Sequence, residues 1–422
     1  MTANRDSLLN NVIFFFFALF IFSSTFSIAL SQISFGFSLL AFVILVILRR
    51  FNPFVGNLRN FYLAIGLYLL WMTLSLLVND SIPKSLSALK EEWLFSVIPV
   101  GVYLFRQKHY RGALVIALAA GVIIVSIYGI IQHFTGVNWF KDYGLIEAAN
   151  HTFYAIGGFR HNLTYGNYLA VAAMFLTSLA ILRGKPLLSA PNLVILVAGM
   201  LGLVGTVMSY SRTAVAALPL GLIGLTWLKG KRWVLASTVV LVLTAGLTFL
   251  FVGTLAYKYK LAFERDLTGQ QESSRLFIWK KSWAIIADHP VLGVGQGNFE
   301  NAYAAKLDTT RHETRTRPHA HNDILNFAAI AGIPGATFFI LIWVTLYYHL
   351  HQIWQRSDPR SDKRIFAGAA TMAGAVFFLT SLTEATFADE EVRQLLMAIW
   401  AAGLWPMLSK KSEDEANEIK SP

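Results

Sequence analysis

The sequence predicts an all-α polytopic membrane protein with about twelve transmembrane helices. Three observations carry this. Of 422 residues, 55% are hydrophobic and only 14% charged, whereas a soluble domain carries roughly a quarter charged residues. Apolar stretches long enough to span a bilayer recur along the whole chain. The cations between them alternate in density, as membrane orientation requires.

The first apolar stretch, near 11–30, is too long for the core of a signal peptide, and a second follows at once, so it reads as a membrane helix. Further spans are expected near 33–48, 60–78, 93–105, 112–132, 163–182, 191–208, 213–228, 233–253, 323–349, 365–386 and 392–408. The fourth is short and can extend back through Leu89. With both termini in the cytoplasm, the inside segments hold nineteen Lys and Arg against seven Asp and Glu, and the outside ones sixteen against seventeen. The net charge of +11 is thereby explained by orientation, and no nucleic-acid face is expected. There is no cysteine, hence no disulfide, thiol nucleophile or thiolate metal site.

This divides the chain into 1–253 (helices one to nine), a large outside loop at 254–322, 323–408 (helices ten to twelve) and a cytoplasmic tail at 409–422. A smaller outside segment lies near 133–162. In the large loop, "ESSRLFIWKKSWAIIADHP" places Leu276, Trp279, Trp283 and Ile286 near helical spacing. That predicts an amphipathic helix with tryptophans at the membrane interface. Pro290 ends it, and "GVGQGNF" (293–299) is a glycine-rich turn.

The chemistry concentrates where "RTRPHAHNDILNFAAIAGIPG" (315–335) runs from cations into a span. A helix starting near His319 would put His321 and Gly332 on one face, with Leu325, Ala328 and Gly335 in the same stripe. Small residues there permit close helix approach, so the glycines would fix a histidine at the outer end. A lone histidine in such a place is more often a cap or a headgroup contact, but arginines surround this one. Arg160 lies in "GGFRHNLTYGN". Arg212 lies in "SYSRT", with Ser211 as a candidate cap, so a guanidinium meets a helix N-terminus, an arrangement suited to anions. Arg275 also sits at a helix start, where a cation opposes the helix dipole; an anionic ligand would reverse that penalty. Each arginine alone can serve a headgroup or an acid such as Glu264 or Glu272. Together they favour a phosphate or diphosphate ligand.

Other constellations are weaker. His312, His319 and His321 lack an HExxH or thiolate context for zinc. The GxGxG at Gly293, Gly295 and Gly297 has no βαβ unit around it. Glu91 and Glu92 are adjacent, and adjacent helical positions do not face one another. Glu384, Asp389, Glu390 and Glu391 cluster at the last outside turn, where they can orient an arginine, bind a sugar or form a solvated turn; the last is the favoured reading. No metal and no cofactor is expected.

His321, Asn322, Gly332 and Gly335 meet the pattern His-Asn, nine residues, Gly, two residues, Gly. That resembles the signature of the bacterial O-antigen ligase and polymerase superfamily. "SYSRTA" with Arg212 is similar to its Ser-Arg motif. "SSRLFIWKKSWAIIADHPVLGVGQGNF" is similar to its loop motif, with Arg275, Trp279, Pro290, Gly293, Gly295 and Phe299 in place. The motifs cover roughly 150–340, and the topology covers the chain. The resemblance implies an inner-membrane glycosyltransferase with a periplasmic site. Its donor would be O-antigen on undecaprenyl diphosphate, its acceptor a sugar hydroxyl of lipid A–core. Transfer would be inverting and independent of metal and ATP. It implies His321 as general base and Arg212 and Arg275 as diphosphate ligands, with Arg265 or Arg160 as a third cation. Asn322, His319, Gly332 and Gly335 would support them. A polymerase would share this chemistry with another acceptor. A protein O-glycosyltransferase usually carries a sizeable domain after its last span. A transporter of lipid-linked sugars predicts charges inside the spans, whose centres are nearly free of them.

Overall fold

A computed structural model describes residues 2–54, 56–78, 89–140, 142–149, 151–183, 189–230, 260, 264, 269, 271–308, 310 and 313–407. The expected ninth span (233–253), Arg265, His312 and the tail at 409–422 lie outside the described residues. The chain is a polytopic, all-α membrane protein with one small antiparallel hairpin. In order come α1 (Thr2–Ser23), α2 (Ile28–Arg49), α3 (Arg59–Leu74, prolonged by a 3-10 turn, Ser75–Val78), α4 (Val97–Arg106) and α5 (Lys108–Thr135). The strands β1 (Glu147–Ala149) and β2 (Thr152–Phe153) precede α6 (Asn162–Leu182), α7 (Ala190–Met208) and α8 (Arg212–Lys229). Then follow α9 (Arg275–Asp288), α10 (Phe299–Ala304), α11 (Asp323–Arg356), α12 (Asp362–Ser381) and α13 (Glu390–Leu404).

Among the described residues, eight helices are long and apolar enough to cross a bilayer: α1, α2, α3, α5, α6, α7, α11 and α12. The expected spans four, eight and twelve are not among them, although α8 covers the whole of the expected 213–228. α4 has 10 helical residues behind a 3-10 segment, Lys90–Ser96. α8 has 18 with Pro219 inside, and α13 has 15. The physical reason is that α4 and α13 face protein rather than lipid. From Val392 to Leu404 every side chain of α13 is buried, and a Cβ on Gly101 of α4 would meet the Ala401 Cβ at 2.6 Å. A helix apolar all round and enclosed by others need not match the bilayer's thickness. α6 is the central post, packed against α7, α8, α12 and α13.

α11 differs from the expected continuous helix in a way that positions the site. Gly332 has φ 71 and ψ 178, a conformation essentially restricted to glycine. The break, together with the missing N–H of Pro334, frees the carbonyls of Ala329, Ile330 and Ala331. The glycine-rich turn after α9 takes them up. Val294 N–H donates to Ala329 O and Gly295 N–H to Ile330 O, both at 2.9 Å, while Ile333 N–H donates back to Pro290 O at 2.8 Å. Trp71 Nε1–H of α3 donates to Ala331 O at 2.8 Å. Unsatisfied backbone at membrane depth would cost several kcal/mol per group, about 2–7. A Cβ on Gly332 would fall 2.0 Å from Val291 O, so Gly332 makes a backbone joint rather than a small-residue stripe shared with His321.

The loop helix forms as expected but buries another face. Ile278, Ser282, Ile285 and Ile286 are inside, and Leu276 and Trp283 are 37% and 63% exposed. Docking of α9 on α11 selects this isoleucine face. The helix ends at Asp288, ahead of Pro290, and Gly293, Gly295 and Gly297 all have positive φ.

Candidate active site

The helix carrying the signature starts at Asp323, where the span was expected, and not near His319, the start that would put His321 on its face. Asn322 is its N-cap: Leu325 N–H donates to Asn322 Oδ1 at 2.9 Å, and Asn322 Nδ2–H donates to Leu382 O at 2.8 Å. His321 therefore stands before α11, not on its face. It adopts φ 50, a left-handed conformation uncommon for a residue with a side chain. Asp323 is buried at 1% exposure, and both its carboxylate oxygens accept from Phe387 N–H at 3.1 and 3.3 Å. Asn322 and Asp323 thus tie the start of α11 to the 382–389 turn between α12 and α13.

That turn brings Glu384 to the histidine. His321 Nδ1 lies 3.0 Å from Glu384 Oε2. The other oxygen, Oε1, pairs with Nη2 of Arg275 from the first turn of α9. Glu384 is 7% exposed. Burial raises its pKa, but the hydrogen bond from His321 and the Arg275 charge more than offset this and hold it below the usual carboxylate value. The sequence offered Glu272 or Glu264 as an acid for the cation at the α9 N-terminus; the carboxylate that pairs with it is the distant Glu384. Ser274 caps α9 by accepting from Phe277 N–H at 3.2 Å.

His319 packs edge-on to His321, ring centroids 4.3 Å apart. His321 N–H donates to His319 Nδ1 at 3.3 Å. Burial, then the neighbouring His321, Arg275 and Arg317, push the His319 pKa down to about 4 against the opposing pull of Glu384. His319 is therefore neutral near pH 7 and serves as an acceptor. Arg317 adds a cation that the motifs do not mark. It donates from Nη2 to Glu272 O at 3.2 Å, and Glu272 accepts from the Thr314 and Arg315 N–H groups at 3.1 and 2.7 Å.

The described residues thus bring together His319, His321, Asn322, Arg275 and Glu384, with Gly332 anchoring the loop below them and Gly335 placed where an added Cβ would meet the Ala331 Cβ at 2.5 Å. Arg212 is the first residue of α8. Ser211 holds its N-cap position, but its side chain makes no cap hydrogen bond. The N-terminal end of α6 links the two places: Asn162 Nδ2–H donates to Ser209 O at 2.8 Å, and Thr164 Oγ1–H to Asp389 Oδ2 at 3.1 Å. Arg160 is exposed just before α6, and its carbonyl accepts from the Tyr143 hydroxyl at 3.3 Å. Arg265 lies outside the described residues. Beneath the site, Glu91 and Glu92 both reach Arg393, at 2.6 and 3.3 Å, so adjacent acids converge on one buried guanidinium.

Residues 196–340 match a family model described as O-Antigen ligase. That segment contains Arg212, Arg275, His319, His321, Asn322, Gly332 and Gly335; Arg160 and Glu384 lie beyond it. No curated protein matches the chain.

Proposed function

We propose that this O-antigen ligase family domain and the helices around it transfer a polysaccharide from undecaprenyl diphosphate to a sugar hydroxyl of lipid A–core. The reaction is taken to occur at the periplasmic face of a bacterial inner membrane, with twelve crossings and both termini in the cytoplasm. The observation that carries the reading is the His321–Glu384–Arg275 chain of contacts. A carboxylate facing Nδ1 holds the proton there and leaves the Nε2 lone pair for the acceptor hydroxyl. The hydroxyl oxygen attacks the anomeric carbon while its proton passes to Nε2. The bond from that carbon to the diphosphate oxygen breaks, and the leaving group carries away the electron pair. One displacement inverts the anomeric centre. Asp323, buried and holding a backbone amide, is poorly placed as a nucleophile, which favours this route.

General base catalysis supplies roughly 10²–10⁴-fold. The remainder rests on fixed cations that stabilise the departing diphosphate. Arg275, held at the site by Glu384, is the first diphosphate ligand in this reading. Arg212 is the second diphosphate ligand in this reading. Arg317 is a better-placed third cation than Arg160, because it lies within electrostatic reach of Arg275 and His319. Membrane confinement of both lipid-anchored substrates contributes proximity. No metal or nucleotide takes part in the proposed step.

His321→Ala is expected to lower transfer on the order of 10²–10⁴-fold with membrane insertion unchanged. Normal transfer by that variant would remove His321 as base. Arg212→Ala and Arg275→Ala should weaken donor binding more than acceptor binding in a titration with each lipid. Unchanged donor affinity in both would remove the arginine clamp.

A further inference from the structure

We infer that residues 289–295 are not part of a water-exposed loop but form a re-entrant segment lying in the outer leaflet, with Val291 presented to lipid acyl chains. Trp71 lies on the span Arg59–Val78, whose 20 residues cover about 30 Å, the thickness of the hydrocarbon core. Trp71 is seven residues short of Val78, or about 10 Å below that end. Its indole N–H reaches Ala331 O, which fixes the break in α11 at the same depth. The segment from Pro290 to Gly295 is hydrogen-bonded to that break through Pro290 O, Val294 N–H and Gly295 N–H. It therefore sits at the depth of Ala331, well inside the apolar slab.

Two independent features agree. Irregular backbone at membrane depth is tolerated only where protein satisfies it. Here Gly293 N–H also finds His289 O at 3.2 Å, and Gly293, Val294 and Gly295 are buried. Past His289, itself exposed at the end of α9, the outward face is apolar. Val291 is 58% exposed and Ile333, beside it, 54%. They continue the stripe of Ile340 and Val344 on α11, which is exposed because lipid covers it. A bilayer is the occupant that this continuity with a spanning helix selects.

The chain's lack of cysteine makes the test clean. Val291→Cys and, as a control on exposed α10, Ala304→Cys would each be labelled with an environment-sensitive NBD fluorophore in nanodiscs. The inference expects blue-shifted emission at position 291, quenching by nitroxide on lipid acyl chains, and at least a three-fold slower quenching by aqueous iodide than at position 304. Iodide quenching at 291 equal to that at 304 would overturn it. So would protection from both quenchers, which would mean that protein covers the segment. Ile333→Cys, on α11 at the same depth, repeats the reading if the Val291 variant fails to fold. None of these outcomes depends on which glycan, if any, the protein transfers.

Discussion

Glu384 is the residue whose role the fold creates. It lies 63 positions after His321, so no local pattern pairs them, and a solvated acidic turn was the natural reading of Glu384, Asp389, Glu390 and Glu391. The hint in the sequence was a cation, Arg275, at a helix start, where it opposes the helix dipole. Glu384→Gln should keep the shape but lose the charge that orients the imidazole. A fall in kcat of about 10²-fold with KM little changed is expected, and an unchanged kcat would show that Glu384 only braces the fold. His319 gives a stability prediction. Its folded pKa is lowered to about 4 from the ordinary 6.5, so between these values the unfolded chain binds more protons. The stability it contributes is present above about pH 6.5 and is lost as pH falls toward 4. His319→Gln should flatten that part of a Tm-versus-pH curve recorded in detergent; an identical slope would exclude His319 as the source.

At the scale of elements, the joint between the α9 turn and α11 holds the site in register. Gly332→Ala places a Cβ 2.0 Å from Val291 O at a positive φ, and Gly293→Ala places one 2.4 Å from Ala331 N. Each is expected to destabilise by more than about 2 kcal/mol. Because both open the same joint, the double variant should cost less than the sum. Gly36→Ala, with nothing within 4 Å of its added Cβ, should change little. Additive costs in thermal unfolding would mean the two glycines act separately. The spacing of Gly332 and Gly335 was legible in the sequence, and so was the glycine-rich turn. Their partnership was not, because it is made of backbone hydrogen bonds between segments nearly forty residues apart. The span's start at 323 was legible, but the place of His321 was not: His321 and Asn322 divide the work before the helix, one turning the chain and the other capping.

Over the whole molecule, composition and charge asymmetry sufficed for a polytopic membrane protein, but not for the lengths of its members. Segments 93–105 and 392–408 read as spans because they are apolar, yet protein encloses α4 and α13, and apolarity does not distinguish lipid from protein. In α13 sits Arg393, 3% exposed and bound by Glu91 and Glu92. Arg393→Leu leaves a buried acid without its partner, and a loss of about 3–5 kcal/mol is expected. A Tm equal to the parent's would show that the triad contributes nothing. The most direct test of glycan transfer is reconstitution. Purified protein and its His321→Ala variant would be mixed with undecaprenyl diphosphate-linked glycan and lipid A–core, in EDTA and without ATP. The account predicts glycan on lipid A–core with the parent and none with the variant. Glycan lengthened on undecaprenyl diphosphate instead would make the protein a polymerase, and no transfer of either kind would contradict the account.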